Sequence, residues 1–154
     1  MGKKKVEEPT FTIAIDTREQ KPYKFWDHPV EVVGLKTGDY SIIGLEEKVC
    51  VERKSKADAY GTIGSGRARF ERELERMLWF DYPAIVIECS LEQFLIPPTH
   101  SALHPKSAIN SLISWSIRYG VHIFFCGKRK HARTVTFRIL EKYHRYRQRL
   151  QLEG

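Results

Sequence analysis

The sequence predicts an α/β fold, a mixed central sheet flanked by helices. Three observations lead there. Apolar, β-branched runs at 11–15, 84–88 and 121–126 have the length and composition of strands. In the second half of the chain such runs alternate with stretches of helical period, which implies a partly parallel sheet covered on both faces. In the first half the strands are hairpin-like, which makes the sheet mixed. With 154 residues, 42% hydrophobic and 29% charged, the chain can bury a core and is not disordered in composition. We expect a solvated tail over residues 1–10 and one domain over residues 11–150.

The elements follow in order. Phe11–Ile15 reads as a strand ending at Asp16, and Val30–Val33 as a second short strand. Gly38-Asp39 opens a third strand, Tyr40–Ile43, and a polar turn over Gly44–Lys48 leads to a fourth, Val49–Lys54. Arg67–Phe80 has helical period, with Phe70, Leu74, Met77 and Leu78 on one stripe. Ala84–Glu88 is nearly continuous in apolar residues, as in a strand buried on both faces. Leu91–His104, with prolines at 97, 98 and 105, reads as loop. Pro105 suits the first turn of a helix that presents Ile109, Leu112, Ile113 and Ser116 and stops at Gly120. Val121–Cys126 reads as another buried strand, and Ala132 to about Gln148 as the last helix.

Charge and cysteine content narrow the function classes. The net charge is +7; residues 127–154 hold nine Lys/Arg against two Asp/Glu, whereas residues 1–126 hold seventeen of each. The whole excess therefore lies at the C-terminal end, and such a patch attracts phosphate backbones or simply forms a solvated helix face. Cys50, Cys89 and Cys126 are widely spaced and form no CxxC pair, so reduced, buried thiols in a cytoplasmic protein are expected, and no structural zinc. No apolar run is long enough to span a bilayer, so no membrane partner is expected.

Three apolar strands begin or end on a carboxylate: Asp16, Asp39 and Glu52. Along Val49–Lys54, alternation puts Cys50, Glu52 and Lys54 on one side. A carboxylate two residues from an ammonium at a strand's open end can hold a hard cation such as Mg²⁺ and orient an attacking water. A single such triplet is most often a surface ion pair. Asp39, one hairpin away, and Asp16 supply further oxygen ligands, and phosphodiester hydrolysis needs that inventory of cation, positioned water and in-line geometry.

The residues Asp16-Thr17-Arg18-Glu19, then Gly38-Asp39, then Glu52-Arg53-Lys54-Ser55-Lys56-Ala57-Asp58 resemble the signature of the XPF-type nuclease family, which reads D-x-R-E, G-D, E-R-K-x-x-x-D. Ser65-Gly66-Arg67-Ala68-Arg69-Phe70-Glu71-Arg72-Glu73-Leu74 resembles the arginine-bearing helix that follows it. The chain looks like the short stand-alone members of bacteria and phages. The resemblance implies a restriction-endonuclease-like fold of the PD-(D/E)xK type and Mg²⁺- or Mn²⁺-dependent cutting of DNA at branched, flapped or forked duplex. It implies Asp16, Asp39 and Glu52 on the metal, Lys54 as the base that positions water, and Glu19, Arg53 and Asp58 in support. Alternation turns Arg53 away from Glu52; a pairing of its guanidinium with Asp58, while its backbone faces the metal, would reconcile the two. The partners implied are double-stranded or branched DNA, and a second copy of the chain or a DNA-processing protein. The alternative is a catalytically silent module of the same fold that binds DNA junctions; a third reading is an interaction subunit docking through its basic end.

Other motifs carry less. Gly61-Thr62-Ile63-Gly64-Ser65-Gly66-Arg67-Ala68 resembles a phosphate loop, but Arg67-Ala68 replaces the Lys-Ser/Thr that ATP binding needs. A glycine loop carrying Arg67 and Arg69 towards DNA is the expectation, with a plain linker as its alternative. His100, His104 and His122 have no setting that suggests a metal. Lys128, Arg129, Lys130 and Arg133 precede the last helix, and Lys142, Arg145, Arg147 and Arg149 lie along it with Tyr143 and Tyr146 between. Backbone contact with stacking is one reading, and a helix docked by Phe137, Ile139, Leu140 and Tyr143 is the other.

Overall fold

The computed structural model describes Gly2 and residues 10–154; the expected tail otherwise lies outside the described residues. The strands are β1 (Ile13–Asp16), β2 (Val30–Val33), β3 (Tyr40–Ile42), β4 (Val49–Lys54), β5 (Tyr82–Ile87) and β6 (His122–Phe125). The helices are α1 (Lys56–Ile63), α2 (Arg67–Met77), α3 (Leu91–Phe94), α4 (Pro105–Tyr119) and α5 (Arg129–Glu153). The sheet order is β2-β1-β3-β4-β5-β6. Only β3 pairs antiparallel with its neighbours, so the other strands all run the same way. The expected mixed sheet is found, but β1 and β2 pair in parallel rather than as a hairpin.

That topology positions the site. The C-terminal ends of β1 and β4 and the N-terminal end of β3 share one edge of the sheet, so Asp16, Asp39 and Glu52 come to the same rim. Gly38 makes the approach possible. Its φ is +82°, and a Cβ there would lie 2.8 Å from the Cβ of Cys50. With no side chain, the chain folds flush onto β4, and the Asp39 N–H donates to the Val51 carbonyl at 2.9 Å.

Two cores lie on the two faces of the sheet. One holds Cys50, Ile85 and Ile87 from the sheet against Phe70, Leu74 and Met77 of α2 and Leu112 and Trp115 of α4. The other packs Ile13, Tyr40, Val49, Val51 and Val86 against Ala132, Leu140 and Tyr143 of α5. Alternation along β4 explains the split: Cys50 faces α2, and Val49 and Val51 face α5. Truncating Leu140, fully buried, would cost about 2–5 kcal/mol.

Several expectations change. Residues 56–63 are helical, so Gly61 and Thr62 belong to α1 and the glycine loop shrinks to a turn at 64–66. Ser55 caps α1 by accepting from the Asp58 N–H, and packing of Ala59, Tyr60 and Ile63 outweighs the roughly 1 kcal/mol that Gly61 costs inside a helix. Ser90 and Gln93 form a capping box that starts α3 inside the expected loop. Helix α4 begins at Pro105 and ends at Gly120 (φ 67°), as its sequence requires, but its buried stripe is Ala108, Leu112, Trp115 and Tyr119, while Ile113 is exposed. Strand β6 is only half-buried, because it ends the sheet. Helix α2 stops at Met77, and α5 extends the predicted helix at both ends. Leu140 and Tyr143 are buried on α5, and Phe137 and Ile139 pack half-buried against the same core, as expected. Cys50 and Cys89 are buried and Cys126 half-buried, all unpaired. Among the described residues, no helix is long and apolar enough to cross a membrane.

Candidate active site

A cavity of about 520 Å³ opens at the shared edge, lined by Asp16, Asp39, Glu52, Lys54, Asp58, Arg69 and Glu73 among others. Glu52 lies in its floor, 8% exposed, and Lys54 Nζ sits 3.4 Å from Glu52 Oε1 and 4.6 Å from the centre of the Phe70 ring. Strand alternation thus delivers Glu52 and Lys54 together. Asp39 stands beside them, its Oδ2 accepting from the Arg53 backbone N–H at 2.8 Å.

Glu73 was not anticipated. It projects from α2 into the same cavity, accepts from the Gly38 N–H at 3.3 Å, and interacts with Glu52. The sequence did hold a signal: Phe70, Glu73, Leu74 and Met77 share one helical stripe, so Glu73 is a carboxylate on an apolar face.

Three carboxylates and one ammonium crowd this space, and the crowding shifts their ionisation. Burial, then Asp39 and Glu73, push the Glu52 carboxyl well above its usual range, against the pull of Lys54. Burial raises Asp39 to about 6, although the Arg53 N–H works the other way. Five carboxylates line the cavity against three cations, Arg18, Lys54 and Arg69. Hard oxygen donors short of positive charge fit a divalent cation in kind. In position they are still apart: among the described residues, no group of three His, Cys, Asp or Glu side chains is arranged to hold an ion as it stands.

Asp16 lines the cavity but is already engaged. Its Oδ1 accepts from the Leu35 N–H at 2.9 Å and its Oδ2 from Arg18 Nε at 2.9 Å. Asp58 lines the rim, as the third residue of α1. Its expected pairing with Arg53 does not occur. Arg53 turns to the opposite face, where it pairs with Glu19 at 3.3 Å and Glu88 at 2.9 Å. Glu88, directly after β5, also accepts from Tyr23 Oη at 2.9 Å and lies 3.6 Å from Arg129. Parity placed Arg53 correctly; only the partner was misjudged, because nothing in the sequence ties position 53 to position 88.

The expected DNA contacts separate. Arg69 lines the cavity. Arg67 is directed away, bonded to Glu71 and Ser111 and stacked 5.1 Å from the Trp115 ring. Lys128, Arg129 and Lys130 sit at the start of α5, near the site edge, where Arg129 reaches the Lys21 carbonyl. Arg145 lies sixteen residues along the same helix from Arg129, about 24 Å away. Beside it Tyr143 bonds Asp81, which precedes β5, so Arg145 occupies the opposite edge of the sheet. His104 caps α4 through Nδ1, and His122 stacks on Tyr82.

The ERCC4 domain model matches residues 15–139. Among solved structures, XPF from Aeropyrum pernix aligns over 91% of this chain and 68% of its own, with a TM-score of 0.71 and 17% identity. XPF from Aeropyrum pernix in complex with DNA aligns over 88% and 66%, again at a TM-score of 0.71 and 17% identity. At that identity the likeness shows the fold, restriction-endonuclease-like with its central mixed sheet. The chain spans about two thirds of the length of those structures. No curated protein matches the chain.

Proposed function

The chain belongs to the ERCC4 domain family, the XPF-type nucleases, and from that premise we propose that its single domain, residues 11–150, is a metal-dependent endonuclease that hydrolyses phosphodiester bonds of branched, flapped or forked DNA. The observation that carries this reading is the carboxylate-rich cavity, in which Asp39, Glu52 and Glu73 crowd beside Lys54. Charge of this sign, buried against its own cost, is explained by a cation that arrives with the substrate.

Asp39, Glu52 and Glu73 would hold Mg²⁺ or Mn²⁺, with Asp16 completing the set once Arg18 turns aside. When bound, the cation stabilises the charge that develops on the phosphoryl oxygens. Glu52 holds the Lys54 ammonium at the cavity floor, where Lys54 positions the attacking water and manages its proton. Arg69 at the rim neutralises a backbone phosphate. Glu19 and Arg53 act through the strand rather than on the substrate: they lock the end of β4, and the Arg53 N–H keeps Asp39 aimed. Asp58 secures the start of α1. Lys128, Arg129 and Lys130 extend the DNA contact along the same edge. A second copy of the chain would join at the outer side of β6, near exposed Ile113 and Ile117.

The test is a cleavage panel on fork, flap and linear DNA, with Mg²⁺, Mn²⁺ or EDTA. Wild type should cut only with metal, and Glu52→Gln should lose at least about a hundredfold in rate. DNA binding without cutting by both proteins would select the silent junction-binding alternative.

A further inference from the structure

Across the sheet from the cavity, at the same edge, lies a second pocket of about 400 Å³ lined by Pro22, Tyr23, Lys24, Arg129, Lys130 and Arg133. Next to it Trp26 adopts a left-handed backbone, φ 53°, the only non-glycine residue with positive φ among those described. A bulky residue there is strained, and such strain gathers where a side chain must be presented. Trp26 is presented: it is 58% exposed, with the Arg133 guanidinium 4.7 Å from its ring and Phe137 edge-on at 5.5 Å.

Among the described residues, Lys24, Lys130 and Arg133 have no carboxylate partner, and Arg133 Nε is buried with no hydrogen-bond partner. Glu88, the neighbouring carboxylate, is already taken by Arg53 and Arg129. The pocket therefore combines unpaired positive charge with an aromatic face held out in water. Phosphates seek the first and unstacked bases the second. A duplex offers only phosphates, because its bases are already stacked.

Resting on the nuclease reading above, we infer that Trp26, Lys24, Lys130 and Arg133 form a clasp for a single-stranded DNA segment, the unpaired arm of a branched substrate. A base stacks on Trp26, and the adjoining phosphates lie on Lys24, Lys130 and Arg133. The duplex occupies the cavity face while the unpaired arm passes over the edge.

The test is fluorescence anisotropy of a fluorescein-labelled fifteen-residue oligo-dT in EDTA, where no cutting interferes. Trp26→Leu should weaken binding about tenfold, and Trp26→Tyr should recover most of it. Lys24→Glu should also weaken it and flatten its salt dependence. A blunt duplex should bind all variants alike. Affinities within twofold of wild type, or equal losses on the blunt duplex, would overturn the clasp. If Trp26→Leu melts early, the Lys24→Glu variant, altered only at the surface, decides by the same two criteria. Cutting of a fork with Mg²⁺ is scored separately. A wild type that never cuts, yet whose oligo-dT binding depends on Trp26, sinks the nuclease reading and keeps the clasp.

Discussion

The two faces of β4 carry similar densities of charge and treat them in opposite ways. On the α5 face, Arg53 and Arg129 meet Glu19 and Glu88, and the charges balance. On the α2 face, Asp39, Glu52 and Glu73 crowd around one close cation, Lys54, and burial together with the neighbouring carboxylates moves the Asp39 and Glu52 carboxyls up. Adjacent residues of one strand, Glu52 and Arg53, therefore belong to different kinds of site. A balanced buried cluster stabilises a geometry; an unbalanced one costs stability until something with charge binds.

The comparison can be broken by substitutions on either face. The largest effect is expected for Lys54→Ala, with a fall of about 10²–10⁴ in cutting rate at nearly unchanged DNA affinity and melting temperature. A variant that fails to fold would instead make Lys54 a structural ion-pair partner. On the other face, Arg53→Ala should behave inversely. It strands Glu19, leaves Glu88 only Tyr23 and Arg129, and should cost about 2–4 kcal/mol in urea unfolding, whether or not metal is present. Stability equal to wild type would mean the balanced cluster is ornamental.

A smaller effect sharpens the unbalanced face. Asp39 titrates near 6 in the fold and near 3.9 when unfolded. The folded chain holds that proton through the interval, so the associated stability is complete below about pH 4 and is lost as pH rises through 6. In EDTA this should remove about 1–3 kcal/mol. Asp39→Asn should flatten that part of the profile, and millimolar Mg²⁺ should restore stability to wild type at pH 7.5 but not to the variant. The same pH slope in both proteins would remove Asp39 from the cluster. The smallest effect is expected at the far edge. Changing Arg145, Arg147 and Arg149 together to Ala should shift fork affinity less than threefold, since Arg147 already pairs with Asp81 and Arg145 with Glu141 away from the cavity. A salt-sensitive loss of tenfold or more would extend the DNA path across the α5 face.

Much of this was legible in the chain itself. Period two along Val49–Lys54 assigned Glu52 and Lys54 to one face and Arg53 to the other, because strand parity is local geometry. Gly38-Asp39 marked the start of a strand one hairpin from Glu52. Apolar runs ending in Asp16 and Glu52 announced a rim of carboxylates, and the D-x-R-E, G-D and E-R-K motifs announced the family. Pro105 and Gly120 bounded α4 because Pro and Gly constrain the backbone wherever they stand.

The tertiary structure decided the rest, through contacts that depend on which segments meet. The reversal of β3 alone turns three separate strand ends into one edge. Helix α1 forms across Gly61 because Tyr60 and Ile63 find a core. Arg53 chose Glu88 over Asp58, Glu73 entered the cavity from a distant helix, and α5 carried Arg129 to the site edge and Arg145 away from it. Each outcome rests on distance between residues far apart in sequence, and local pattern encodes the direction of a side chain but not the identity of what it will meet.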